Sequence, residues 1–281
     1  MFNKVTILGV GLLGASLALA LKKNGLCGAI TGCGRSRENL QKAKERNIID
    51  SFETDPAAAC RDSDLVVLSS PVGSFLDLTK KIVPSLKTGA LLTDVGSVKG
   101  ALIRDIERIM PKDVHYIGGH PIAGSDRSGI DSADAGLFRG AKCIITPTES
   151  SDPASLEKIQ DLWKAVGSEI IMLAPEEHDR IYAAVSHLPH LIAYSLVNAV
   201  AEMDGAYLAF SGKGFMDATR IASSSEEVWS DICLLNRENL VEALAVFREN
   251  LDRLDHYLKA GDPEALKNEF RKARDLREHI G

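Results

Sequence analysis

The chain has 281 residues, enough for two domains of ordinary size and for a core that needs no disulfide or metal staple. With 45% hydrophobic and 26% charged residues and no low-complexity tract, its composition is that of a soluble globular protein, which excludes disordered, collagen-like and membrane-spanning architectures. Lys and Arg total 33 against 39 Asp and Glu, a formal charge of −6, and no long basic run offers the phosphate neutralisation on which nucleic-acid binding rests.

Five cysteines, Cys27, Cys33, Cys60, Cys143 and Cys233, are widely spaced and form no CxxC pair. Neither a disulfide framework nor a cysteine zinc site is expected, and a reducing cytoplasm is the expected location. The apolar run Val5 to Leu21, preceded by Lys4 and containing Ala18-Leu19-Ala20, has the outline of a secretory signal. Gly9, Gly11 and Gly14 punctuate it, however, as a buried strand, a glycine turn and a buried helix require, and that reading is preferred.

In chain order, short β-rich apolar runs occur at Val5–Leu8, Ala29–Thr31, Leu65–Leu68, Ala90–Thr93, Tyr116–Ile117, Lys142–Thr146 and Glu169–Leu173. Helical patterns fall at Leu12–Asn24, Arg37–Arg46, Ser74–Val83, Val98–Ile109 and Pro153–Val166. Strands that are apolar throughout and alternate with helices imply a parallel sheet covered on both faces, a doubly wound α/β domain of the Rossmann type over residues 1–174. From Pro175 the pattern is helical only, with stretches Pro175–Met203, Ser225–Lys259 and Pro263–His279 and breaks near Gly212 and Gly261, so residues 175–281 are expected to form an all-α domain. Within it, Leu191–Val200 is apolar nearly all round the helix and demands burial on every side. A homodimer interface would supply that burial; the alternative is burial inside one chain.

Gly9-Val10-Gly11-Leu12-Leu13-Gly14 follows a predicted strand and opens a predicted helix. The first glycine permits the tight turn, the second the approach of a pyrophosphate and the third close packing of helix on strand. Leu12 and Leu13 then carry helix-terminal N–H groups suited to phosphate, although packing alone would also explain the glycines. An acid about 20 residues further on usually binds the ribose hydroxyls of NAD. Gly34 occupies that place, followed by Arg35, Ser36 and Arg37, whose donors suit a 2′-phosphate, so NADP is the expected preference and NAD use is not excluded. The alternative makes both arginines solvated residues at a helix start with Ser36 as its N-cap. Ser70 and Pro71, just past the run Leu65–Leu68, complete the cofactor candidates.

Ser97 of Asp94-Val95-Gly96-Ser97-Val98-Lys99-Gly100 is most simply the N-cap of the next helix, with a hydroxyl aimed into the cleft at a strand end as the sharper and compatible reading. Gly118-Gly119-His120-Pro121 places a histidine at another strand end, where an alcohol losing hydride needs a base for its proton. His187 and His190 of Ser186-His187-Leu188-Pro189-His190 lack an evident third ligand, so no metal is expected, and Pro189 should kink the helix near His187. Arg220 is either a surface partner of Asp217 or a clamp for a substrate carboxylate.

Taken together, GVGLLG, DVGSVKG, HPIAGSDRSG, SHLPH and the stretch Phe215 through Asp231 resemble, in order and across most of the chain, the prephenate/arogenate dehydrogenase family of tyrosine biosynthesis. The resemblance implies a nucleotide-binding domain, a helical dimerising domain, and oxidative decarboxylation of prephenate to 4-hydroxyphenylpyruvate or of arogenate to tyrosine. It further implies that His120 is the catalytic histidine at the ring 4-hydroxyl and that Ser97 contacts that hydroxyl and the nicotinamide. By the same resemblance Arg220 grips a substrate carboxylate, His187 lines the pocket, and Trp229 stands near the active site, in its own or a partner subunit. Ser125 and Asp126 stand where relatives carry threonine or serine followed by glutamate, with a role in gating or side-chain recognition. A β-hydroxyacid dehydrogenase is the rival enzyme, but the KxxxN it relies on is absent. A non-catalytic cofactor sensor is the rival of another class, and it would have lost His120 or Arg220. No residue decides between prephenate and arogenate. The length leaves no room for a fused mutase or regulatory domain, so any tyrosine inhibition is expected at the active site.

Overall fold

In the computed structural model, which describes residues 1–124 and 129–280, Phe2–Leu8 forms the strand β1 and Leu12–Lys23 the helix α1. Seven further strands follow: β2 Cys27–Cys33, β3 Ser51–Glu53, β4 Leu65–Leu68, β5 Leu91–Asp94, β6 His115–Pro121, β7 Lys142–Thr146 and β8 Glu169–Met172. Between them run α2 Arg37–Glu45, α3 Pro56–Cys60, α4 Phe75–Ile82, α5 Gly100–Ile109 and α6 Pro153–Ala165. The sheet order is β3-β2-β1-β4-β5-β6-β7-β8. The chain moves outward from β1 in one direction and then in the other. The crevice at the carboxyl ends of β1 and β4 is therefore the switch point at which open α/β sheets bind ligands.

Both faces of the sheet are covered, as the uniformly apolar strands require. In β4, Leu65 and Val67 join one buried cluster, with Leu17, Leu21 and Trp163, while Val66 and Leu68 join the other, with Phe75, Ile82 and Ile103. This is the period-2 alternation of a strand buried on both sides.

The expected all-parallel sheet needs one correction, because β7 runs antiparallel to β6, with His120 opposite Ile144. A parallel return needs a crossover of a dozen or more residues, usually helical. Between β6 and β7 the described residues hold only a 3-10 turn at Ile130–Ser132. The connection β7–α6–β8 does contain a helix, and β8 accordingly pairs parallel to β7.

Beyond β8 the chain is helical: α7 Pro175–Tyr182, α8 Leu188–Met203, α9 Lys213–Thr219 and α10 Glu226–Leu235, all in a compact unit that runs from Met1 to Asn236. A second unit begins at Arg237 and consists of α11 Arg237–Ala260 and α12 Pro263–Glu278, joined through Gly261 at φ +63°. The helix expected over 225–259 is thus two helices, parted at Asn236, whose φ of −110° is not helical. The kink expected from Pro189 is a π-helical turn over Ala183–His187. Leu191–Val200 is buried in this chain at Ala193 alone, so the chain by itself does not supply the burial its sequence demands. Among the described residues no helix is long and apolar enough to cross a membrane.

Candidate active site

The glycine turn after β1 has the shape its spacing predicts. Gly9 holds φ +104°, and a Cβ there would lie 2.5 Å from the Ser69 carbonyl carbon and the Ser70 nitrogen. A Cβ at Gly14 would overlap the Gly9 carbonyl oxygen, so α1 packs on the turn only through glycine. At Gly11, by contrast, a Cβ would meet no described atom within 4 Å, and Gly11 caps α1 without any side-chain hydrogen bond. Here the first-turn N–H groups of Leu12 and Leu13 lie beside open space. Ser69 Oγ is buried with no hydrogen-bond partner among the described residues. A cradle closed by two glycines, open at the third and flanked by an orphaned hydroxyl fits a dinucleotide pyrophosphate. Ser70 Oγ bonds Ser74 Oγ at 2.7 Å, and the Pro71 carbonyl accepts from Ser74 at 2.7 Å, which fixes the turn after β4 on the other side of the crevice.

At the end of β2, Gly34 is half-buried and Arg35, Ser36 and Arg37 are exposed. Ser36 Oγ caps α2 by accepting from the Asn39 N–H at 3.1 Å, and Asn39 Nδ2 donates to the Val10 carbonyl at 2.9 Å, tying α2 to the glycine turn. Arg37 lies over the Phe52 ring, 5.5 Å from its centroid. Of the two arginines, Arg35 makes no contact of this kind.

The end of β5 is a buried polar knot. Asp94 pairs with Lys99, both fully buried, and accepts from Tyr116 Oη at 2.6 Å and from the Gly96 N–H at 2.6 Å. Ser97 is half-buried in the loop that follows. It is not the N-cap of α5, whose capping position is Lys99 and whose first N–H groups are met from across the chain. Asp179 Oδ1 accepts from the Lys99 N–H and Asp179 Oδ2 from the Gly100 N–H, each at 2.8 Å. A carboxylate at a helix N-terminus meets two orphan donors at once, which leaves the Ser97 hydroxyl unused for capping.

His120, at the carboxyl end of β6, depends on the glycines before it. A Cβ at Gly118 would lie 2.5 Å from Thr146 Oγ1, and one at Gly119 2.9 Å from the Asp94 carbonyl oxygen. His120 Nδ1 and His178 Nε2 share a hydrogen bond of 2.8 Å, and His178 Nδ1 bonds Asp179 Oδ1 at 2.8 Å. Tyr182 packs against both rings, with centroids 4.8 Å from His120 and 4.5 Å from His178. Burial, reinforced by His178, Lys99 and His187, holds the His120 pKa well below the ordinary histidine value, so its ring is neutral near pH 7.

The π-helical turn delivers His187, fully buried, to the same region. Asn236 Nδ2 donates to the Asp179 carbonyl at 2.7 Å and bonds His187 Nδ1 at 3.1 Å. A carbonyl accepts only, so the amide nitrogen is fixed there and His187 Nδ1 must accept. The His187 proton therefore sits on Nε2, which makes no hydrogen bond of ordinary geometry although the Ser97 backbone lies beside it. Burial pushes the His187 pKa down to about 4. Trp229 stacks on His190, with centroids 3.4 Å apart, and meets His187 edge-on at 6.0 Å, all within one chain. His190 donates to the Ser186 carbonyl at 3.0 Å, and the charge of Arg220 adds to the burial that lowers its pKa. Arg220 is exposed, and Asp217, its expected surface partner, pairs with Lys213 at 2.8 Å.

One network thus joins His120, His178, Asp179, Asn236 and His187, with Ser97, Trp229, His190 and Arg220 against its helical end. Ser125 and Asp126 lie outside the described residues. The sequence reading did not single out His178, Asp179, Tyr182 or Asn236. The available signal was His178 and Tyr182 at i and i+4, which places both on one face of a helix, with Asp179 next in sequence. Among the described residues no group of three or more His, Cys, Asp or Glu is arranged to hold a metal ion.

Comparison with known proteins gives this network its context. Residues 17–172 match the family "Prephenate dehydrogenase, nucleotide-binding domain", and residues 174–272 match "Prephenate dehydrogenase, dimerization domain". The prephenate dehydrogenase of Bacillus subtilis is 32% identical over 284 residues, covering 100% of this chain and 76% of that one. A crystal structure of prephenate dehydrogenase from A. aeolicus, in complex with hydroxyphenyl propionate and NAD+, superposes with a TM-score of 0.94 at 36% identity, covering 100% of this chain and 99% of the other. The Synechocystis arogenate dehydrogenase follows with a TM-score of 0.83 at 29% identity, covering 99% and 100%. The doubly wound domain, the glycine turn and the helical segment beyond it agree with these matches over the whole chain, and the chain belongs to the prephenate dehydrogenase family.

Proposed function

We propose that the chain oxidatively decarboxylates prephenate to 4-hydroxyphenylpyruvate, arogenate to tyrosine, or both, with NADP preferred over NAD, as a step of tyrosine biosynthesis. The observation that carries the reading is His120: a neutral histidine at a strand end whose Nδ1 is engaged by His178 at 2.8 Å, which reserves Nε2 for substrate. His120 takes the proton of the ring 4-hydroxyl, and Ser97 bonds the same oxygen. When bound, the nicotinamide would supply the hydride acceptor for the carbon that bears this hydroxyl. The electron-poor ketone that develops draws electrons from the departing carboxylate, and aromatisation makes loss of carbon dioxide effectively irreversible. Arg220 binds a substrate carboxylate, and His187 offers its unpaired Nε2–H. Trp229, Ser125 and Asp126 complete the substrate contacts. Orientation and stabilisation of developing charge supply most of the rate.

Gly9, Gly11, Leu12, Leu13, Gly14, Ser70 and Pro71 would hold the pyrophosphate side of the cofactor, and Arg35, Ser36 and Arg37 its ribose edge. The missing acid at Gly34 and the exposed Arg35 support NADP. Residues 1–174 serve the cofactor, and residues 175–281 serve substrate and a homodimer. Supporting the dimer are the incomplete burial of Leu191–Val200 and the match to a dimerization domain. Five free cysteines suit the cytoplasm. The test is kcat/KM for prephenate and arogenate with NADP and NAD, followed at the reduced-nicotinamide band. Reduction with at least one substrate, faster with NADP, is expected; no reduction with either would overturn the reading.

A further inference from the structure

We propose that His178 and Asp179 are positioning residues that fix the tautomer of His120, holding its proton on Nδ1 and leaving Nε2 as the lone pair that receives the substrate proton. The inference deepens the proposed function, since it rests on His120 being the base. It follows from a chain of donors and acceptors that admits one direction. Asp179 Oδ1 and Oδ2 already accept from the Lys99 and Gly100 N–H groups at 2.8 Å, so this carboxylate is an ionised acceptor. His178 Nδ1, 2.8 Å from Oδ1, must therefore carry the proton and donate it. In the neutral ring His178 Nε2 is then an acceptor, and His120 Nδ1, 2.8 Å away, is the donor. A neutral His120 with its proton on Nδ1 has its lone pair on Nε2.

The surroundings keep both rings neutral. His178 is fully buried, and burial lowers its pKa against the pull of Asp179. Lys99 adds positive charge toward both rings, while Asp94, with which it pairs, acts on His178 in the opposite sense. His187 and Tyr182 complete the groups that face the pair, and Tyr182 packs on both rings. The carboxylate that orients the base is itself anchored on the N-terminus of α5, at the Lys99 and Gly100 N–H groups that follow Ser97 and Val98. The two groups that meet the substrate hydroxyl are thereby held by one helix start.

The tautomer can be read without turnover from the imidazole 15N shifts of His120 at neutral pH in the full chain. Wild type is expected to show a protonated Nδ1 and a bare Nε2. His178→Phe keeps an aromatic ring but removes the acceptor. It should move His120 toward the Nε2–H tautomer and lower kcat about tenfold to a hundredfold, with KM for substrate and for cofactor within twofold. Asp179→Ala should cost about a hundredfold in kcat, because His178 Nδ1 then loses the acceptor that fixes its proton and the His120 tautomer is no longer held. His178→Gln, whose carboxamide oxygen can accept from Nδ1–H, should keep the wild-type tautomer and most of kcat. If His178→Phe does not fold, His178→Gln and Asp179→Ala still decide the matter. An Nε2–H tautomer in wild type, an unchanged His120 spectrum in Asp179→Ala, or equal kcat losses in His178→Gln and Asp179→Ala would overturn the proposal. A wrong assignment of the base shows differently: the spectra follow these expectations while His120→Asn keeps its kcat.

Discussion

Two histidines face this site from opposite sides, and they carry their protons in opposite senses. His120 stands on the sheet, at the end of β6, with Nδ1 engaged by His178 and Nε2 left as an acceptor. His187 stands on the helical side, in the π-helical turn, with Nδ1 accepting from Asn236 and Nε2–H left as a donor. Both are neutral near pH 7 because burial dominates both pKa shifts. The difference lies in what occupies Nδ1: an acceptor tied to Asp179 in one case, a fixed amide donor in the other. On the roles proposed above, the sheet side would remove a proton and the helical side bind negative or lone-pair-bearing groups, and Asp179 connects to both, through its carboxylate and its carbonyl.

The sharpest break of this comparison is His120→Asn, which keeps a polar group and removes the base. Expected is a fall in kcat of roughly 10²–10⁴ with KM little changed; a near-wild-type kcat would move the proton chemistry elsewhere. On the helical side the expected damage is to substrate handling. Arg220→Ala should cost about 2–5 kcal/mol in kcat/KM with normal cofactor affinity, and Arg220→Lys should restore part of it, since an ammonium lacks the planar fork. Loss of NADP affinity with unchanged substrate affinity would contradict the clamp.

The buried neutral state of His187 has a consequence for stability. Its folded pKa of about 4 lies below the unfolded value of about 6.5, so the unfolded chain takes up a proton that the folded chain refuses. This contribution is complete above pH 6.5 and is lost as pH falls toward 4, on the order of 3 kcal/mol over the window. Urea midpoints between pH 7 and 4.5 should fall more steeply in wild type than in His187→Asn; equal slopes would place the destabilising protonation elsewhere.

The smallest expected effects concern the cofactor. Arg35→Ala should weaken NADP by about 1.5–3 kcal/mol and NAD much less, while Arg37→Ala, which first gives up a contact with Phe52, should do less. Gly34→Asp should move preference toward NAD. A wild-type kcat/KM clearly higher with NAD would make both arginines surface residues.

Much of this was legible in the sequence where the chemistry is local. The turn Gly9–Gly14 is read from spacing because Gly9 and Gly14 each answer a close contact at the turn, and Ser36 was legible as a cap because its target lies three residues away. The direction of β7 was legible only by inference from a missing crossover helix, and β3, with Phe52 between Ser51 and Glu53, offered no apolar run. Of the two roles read for Ser97, the capping one fails because the partner that meets the start of α5, Asp179, lies 80 residues away from the Lys99 N–H it accepts. Asn236 is invisible for the same reason, and His178 showed only its helix face shared with Tyr182: their meaning comes from the atoms that the fold brings to them. The break at Asn236 has neither proline nor glycine to announce it.

The pH dependence of kcat/KM tests the central claim most directly, because it reports the base of the free enzyme. With the preferred substrate and cofactor, kcat/KM should fall as pH drops, on a single-proton limb whose midpoint lies below 6.5, the ordinary histidine value. The residual activity of His120→Asn should lack that limb. A midpoint at or above the ordinary value, or a limb that survives the substitution, would contradict the account of His120 as a neutral, desolvated base held by its neighbours.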